Sequence, residues 1–145
     1  YNWTQDGKLV LQVINRTWVP FAKNYEMHIN FSSTESNKLH TIKFHKKDLL
    51  FKISMDRMSP FNCYYYSINK NCEFSFVENL FSYFLPKGEN FNFFYNQFDL
   101  PNPEEIIDKK LRWTQWMSNY VFLLEKYCSD LLETGDICGW LEKHK

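Results

Sequence analysis

The sequence predicts an α+β fold, an antiparallel β-sheet covered by a long C-terminal helix. Two patterns carry this. Apolar and polar residues alternate strictly from Tyr25 to Phe31, and strand-like segments continue to residue 95. From Asn102 onward, apolar residues recur at helical spacing instead. At 145 residues, 44% hydrophobic and 19% aromatic, the chain suits a single domain, residues 1–145, able to bury a sizeable core. Residues 1–60 read as strands with a short helix, and 61–145 as strands and the long helix.

In the first segment Leu9, Leu11 and Val13 alternate loosely with polar neighbours. The next is sharper: a period of two puts Tyr25, Met27, Ile29 and Phe31 on one face of a half-buried strand. Residues 39–45 follow as a third strand after a polar turn. Residues 46–58 are ambiguous, because Leu49, Leu50, Ile53 and Met58 could line one short helical stripe before Pro60. Residues 63–68 and 72–77 read as strands joined by a turn. Residues 80–85 and 91–95 read as a hairpin around Pro86 and Gly88.

The long helix has a start signal in Asn102-Pro103-Glu104-Glu105: a capping side chain, Pro in the first turn, then acids at the positive dipole end. Its stripe runs through Ile106, Trp113, Met117, Tyr120, Leu124, Tyr127 or Cys128, and Leu131. Gly135 serves as a C-cap, and Asp136 opens a short second helix through Trp140 and Leu141. The stripe requires the helix to lie across the sheet.

Chemistry is hard to assemble from these residues. No serine elbow, phosphate loop or metal-binding helix motif occurs. His40 and His45 stand five apart on one strand, face opposite sides and make a poor metal pair, reading as solvated strand histidines; His28 also reads as surface. Glu104 and Glu105 are accounted for by the helix start, and Trp113 and Trp116 by core packing. The expectation is no enzyme, no cofactor and no metal. Seventeen basic and 17 acidic residues leave zero formal charge, which argues against nucleic acid, and no apolar run is long enough to span a membrane. The chain starts at Tyr1, as a processed mature chain or a trimmed fragment would.

Four cysteines, Cys63, Cys72, Cys128 and Cys138, allow three pairings. Glycosylation sequons begin at Asn2, Asn15 and Asn30. Together these favour an oxidising compartment, secreted, extracellular or the ER lumen.

The order of a strand cysteine at Cys63, the segment Lys87-Gly88-Glu89-Asn90-Phe91-Asn92-Phe93-Phe94, the approach Leu100-Pro101-Asn102-Pro103-Glu104, Trp113, and Leu123-Leu124-Glu125-Lys126-Tyr127-Cys128 resembles the α2 half of the major-histocompatibility (MHC) class I-like superfamily. Residues 135–142 are similar to a segment of stress-induced ligands of natural-killer receptors. The resemblance covers residues 60–145; the first 60 supply too little helix for a complete groove. It implies a reduced MHC class I-like platform, a bridge from Cys63 to Cys128 that pins the helix to the sheet, and Cys72 with Cys138 as the remaining pair. Closing that loop would contribute on the order of 4 kcal/mol against the unfolded state. The implied function is a glycosylated extracellular binding module, monomeric or weakly oligomeric. It would engage an immune receptor or ligand protein by competition, in the manner of a viral immune-evasion decoy. Lys110, Arg112, Asn119, Lys126 and Asp130 are the contact candidates on the helix.

A rival resemblance stays open. Cys72-Glu73-Phe74-Ser75-Phe76 and the stretch from Phe98 to Ile107 are similar to the head-to-coil junction of DNA end-joining and centriole scaffold proteins. That likeness implies free cysteines, accidental sequons and an intracellular dimer formed through the helix.

Overall fold

The computed structural model describes residues 5–33, 39–56, 62–69 and 74–144. Two helices, α1 (Gln5–Arg16) and α2 (Trp18–Asn24), come first. Then come five strands, β1 (His28–Ser33), β2 (Leu39–Lys46), β3 (Leu49–Asp56), β4 (Asn62–Ser67) and β5 (Ser75–Phe76). Five further helices complete the described chain: α3 (Glu78–Phe81), α4 (Asn92–Gln97), α5 (Lys109–Tyr127), α6 (Ser129–Thr134) and α7 (Ile137–Lys143). The α+β class holds, with an antiparallel sheet of order β1-β2-β3-β4-β5.

The opening segment is helical rather than extended. Val10, Val13, Ile14 and Thr17 are buried at spacings of three and four, a stripe that outweighs the loose alternation at Leu9, Leu11 and Val13. Pro20 explains why this helix breaks. Its ring would clash with the carbonyl of Arg16 in a continuous helix, yet it fits the first turn of a new one, where N–H groups lack partners anyway. Tyr25 and Glu26 then turn the chain, Glu26 at a φ of 58°, so the first strand starts at His28 and not at Tyr25.

Residues 49–56 form a strand, not a helix, while Met58 of the expected stripe lies outside the described residues. β3 pairs along its whole length with β2, in a register that sets Ile42 opposite Ile53 and Phe44 opposite Phe51. β4 continues both rows with Cys63 and Tyr65. These side chains are buried and form the covered face of the sheet, with the helices above them. His40 shares that face and is buried, which corrects its reading as a solvated residue; His45 faces the other side, stacked on His28 at 4.9 Å.

The expected hairpin of residues 80–95 is helical. Leu80, Phe81, Phe84, Phe91, Phe94 and Phe98 recur at helical spacing and pack on one another and on α5, with Phe81 and Phe94 fully buried. The high strand propensity of phenylalanine gives way to this burial. Of the strand expected at residues 72–77, β5 is the described part; Cys72 and Glu73 lie outside the described residues.

The long helix is shorter than expected and starts later. Asn102 does cap a turn, its Oδ1 accepting from Glu104 N at 3.0 Å, but that turn is a single 3-10 turn, Pro103–Glu105. Ile106 is extended, and α5 is opened by Asp108, whose carboxylate accepts from Leu111 N at 2.9 Å. Trp113, Met117, Tyr120 and Leu124 are buried as the stripe predicted, with α5 packed against α1, α2, α3 and α6. Cys128, at φ −121°, breaks the helix before α6.

Gly135 caps α6 in the left-handed region at φ 69°. Its carbonyl accepts from Asp48 N at 3.2 Å and Leu49 N at 3.0 Å, tying the C-terminal helices to the β2–β3 turn. A Cβ here would lie 2.4 Å from the Lys46 carbonyl oxygen, a backbone atom that cannot swing aside. Gly135→Ala is therefore expected to combine left-handed strain with overpacking and destabilise the fold by roughly 2–4 kcal/mol. Chemical denaturation would measure this; a change below about 0.5 kcal/mol, typical of neutral surface positions, would contradict the close approach.

Candidate functional site

The alternation that buries one face of the sheet leaves the other more exposed among the described residues, although Thr41, Leu50 and Ser54 on it are also buried. On it, cross-strand neighbours run Asn30, Lys43, Lys52, Tyr64 and Phe76. At the β4–β5 end the rings cluster: Tyr64 stacks on Phe74 at 4.7 Å and meets Phe76 at 4.8 Å, and Tyr66 lies 5.2 Å from Phe74. The Lys52 ammonium sits 5.5 Å from the Phe74 ring centre. Phe74 and Phe76 remain 56% and 49% exposed, an unusual exposure for two adjacent large apolar side chains.

Phe76 also forms one wall of a cavity of about 250 Å³ between this sheet edge and α5. Trp113, Trp116, Met117 and Tyr120, spaced three or four apart on one face of α5, form the opposite wall. Asn62 and Cys63 come from β4, and Glu78 from the first turn of α3. Trp116 Nε1 donates to the Tyr120 hydroxyl at 2.8 Å, and that hydroxyl donates to Glu78 Oε1. Burial, then the neighbouring Glu78 carboxylate, pushes the Tyr120 hydroxyl up, so it remains a donor. The same two causes, in the same order, raise the Cys63 thiol well above its usual value and keep it neutral. Glu78 is the one formal charge among the described lining residues. Outside the lining, the Lys109 ammonium lies 4.8 Å from the Trp113 ring centre.

The contact residues expected on the helix do not form one surface. Asn119 is buried; its Nδ2 donates to Pro101 O at 3.0 Å and its Oδ1 accepts from Gln115 Nε2 at 2.8 Å, so it serves the fold and is withdrawn as a contact. Lys110 and Arg112 are half-buried and two residues apart, which separates them by about 200° around the helix. Lys126 is exposed beside the Phe98 ring, and exposed Asp130 accepts from Trp140 Nε1 at 3.1 Å. Asn15 and Asn30 are exposed; Asn2 lies outside the described residues.

The Cys63–Cys128 bridge is also corrected: both thiols are free and buried. Cys63 faces the Met117–Tyr120 part of α5, whereas Cys128 lies eight residues beyond Tyr120 at the helix end. At 1.5 Å per residue that is about 12 Å further on, while a disulfide needs Cα atoms within about 7 Å. Burial, then Asp130, raises Cys128 to about 12. Cys138 is disulfide-bonded, and Cys72 lies outside the described residues. No group of three His, Cys, Asp or Glu among the described residues is placed to hold a metal ion, and no described helix is long and apolar enough to cross a membrane.

The sequence had marked Trp113 and Trp116 for the core. Trp113 is buried, but Trp116 is half-buried with its ring on the cavity. Phe74, Phe76 and Glu78 went unmarked; a short run of exposed aromatics beside a lone acid carries little signal before the strand and the helix are brought together. No known family model, curated protein or solved structure matches this chain.

Two measurements check this chemistry. Alkylation of the unreduced, denatured chain should modify Cys63 and Cys128 and spare Cys138; a peptide cross-linking residues 63 and 128 would refute the assignment. Burial lowers the His40 pKa below 6.5, so the unfolded chain takes up this proton first as pH falls. His40 thus contributes a fall in stability beginning near pH 6.5 and continuing to its lower folded value, and full stability above it. His40→Gln should flatten the melting temperature between pH 7.5 and 5.5; an unchanged slope would exclude this residue.

Proposed function

We propose that this chain is a protein-binding module without catalytic machinery, and that it engages its partner where the exposed aromatic cluster at the β4–β5 end of the sheet meets the cavity beside α5. One observation carries the reading: half-exposed Phe76, clustered with Phe74 around Tyr64, also walls an aromatic-lined cavity. Aromatic side chains concentrate binding energy at interfaces, because they bury much area and lose little rotamer freedom. A chemical role finds less support. Activation of a thiol calls for a lowered pKa, yet burial, and then the nearby Glu78, push the Cys63 pKa the wrong way.

Disulfide-bonded Cys138 and the exposed sequon residues Asn15 and Asn30 favour an extracellular or ER-lumenal setting, hence an extracellular partner. The immune-receptor identity implied by the class I-like resemblance depended on the Cys63–Cys128 bridge and on a hairpin at residues 80–95. Free thiols and helices stand in their place, so a partner protein is proposed without a receptor class. The coiled-coil alternative loses its seam, because Met117, Tyr120 and Leu124 are buried within the domain.

A photo-crosslinking residue at position 76, compared with one at Ile107, 94% exposed and remote in sequence from the aromatic cluster, tests the reading on intact cells. Crosslinking to one protein should occur at 76 and not at 107. Unlabelled chain should compete, and a Phe74→Ser/Phe76→Ser double variant should not. Equal labelling at both positions, or competition by the double variant, would count against this surface.

A further inference from the structure

We infer that the cavity beside α5 binds an alkylated ammonium group, a methylated or quaternary amine carried by a partner side chain or by a small molecule. This rests on the proposed location of the binding site, and deepens it by naming the chemistry.

The described walls include the rings of Phe76, Trp113, Trp116 and Tyr120, and the one formal charge among the described lining residues is the Glu78 carboxylate. Aromatic faces carry negative quadrupole potential, and together with a carboxylate they form a site that attracts cations. An anion would meet Glu78, while the indole N–H of Trp116 and the hydroxyl of Tyr120 are already committed to each other and to that carboxylate. A neutral apolar ligand would strip water from Glu78 and offer no counter-charge. A bare primary ammonium needs three acceptors, and the described lining residues offer mainly Glu78 and the Asn62 amide. Alkylation removes that demand, spreads the charge over methyl groups and suits it to ring faces and the Met117 thioether.

The chain itself places a cation on one of these rings, since Lys109 Nζ lies 4.8 Å from the Trp113 centre. The cavity volume of about 250 Å³ suits a head group; whole drug-sized ligands occupy roughly 300–1,000 Å³.

The test titrates the purified chain with choline and with its neutral carbon isostere, 3,3-dimethylbutan-1-ol. Choline is expected to bind roughly tenfold more tightly, the ratio that a partly desolvated cation–π site supplies. Glu78→Gln, at an exposed position, should weaken choline by roughly fivefold and leave the isostere unchanged. Trp116→Leu should erase the preference; if that variant fails to fold, the isostere comparison and Glu78→Gln decide. Equal binding of choline and isostere, no effect of Glu78→Gln, or no binding of either probe would overturn the inference. A trimethyl-lysine peptide that binds more tightly than both choline and its unmodified form assigns the site to a protein-borne ammonium, whereas choline equalling that peptide assigns it to a free small molecule. These titrations use defined probes, so their failure leaves crosslinking at position 76 standing, and absence of crosslinking leaves them readable.

Discussion

Trp18 is where sheet and helices are held in one geometry. Its indole, fully buried, stacks on Phe44 of β2 at 5.6 Å, lies 5.4 Å from Phe51 of β3 and meets Phe21 of its own helix edge-on at 5.4 Å. A buried indole N–H needs an acceptor, and this one donates to the Met117 sulfur at 3.2 Å. Met117 lies midway along α5, so the contact sets how far that helix slides along the layer. Truncating such a residue typically costs about 3–5 kcal/mol, a large part of what holds a domain this size together.

The position of the cavity follows from that contact. Trp113 and Tyr120 lie four residues before and three after Met117, on the same face of α5, and Trp116 is adjacent. Once Met117 is fixed under Trp18, these rings meet the β4–β5 edge, where Cys63 and Phe76 arrive by register with β3 and with each other's strand. Glu78 enters from α3 and receives the Tyr120 hydroxyl. A helix needed for packing thus presents three aromatic rings to the rim of the sheet. At the other end, the Gly135 carbonyl latches α6 and α7 to the β2–β3 turn, while Phe84, Tyr127 and Trp140 fill the space between α4, α5 and α7.

Much of the fold was legible locally. β2 and β4 could be read from alternation, the α5 stripe from helical spacing, and Gly135 as a cap, since each depends on neighbours within a few residues. One group of errors falls where aromatics are dense. Between Glu78 and Phe98, phenylalanine suits both a pleated surface and a packed helix, and the choice falls to which arrangement buries Phe81 and Phe94 against α5. The candidate site was less legible than the fold, because its walls come from β4, β5, α3 and α5, and no segment carries enough of it to form a motif.

By itself the sequence determined the α+β class, the helical stripe of α5 and the stop at Gly135, because those are settled by local sterics and by which faces are apolar. Only the tertiary structure decided that Cys63 and Cys128 stay apart as free thiols, that His40 is buried, and that Trp116 faces a cavity. Each of these depends on where one element docks along another. A shift of α5 by a single helical turn, about 5.4 Å, would move Trp116 away from the sheet edge without altering a local pattern.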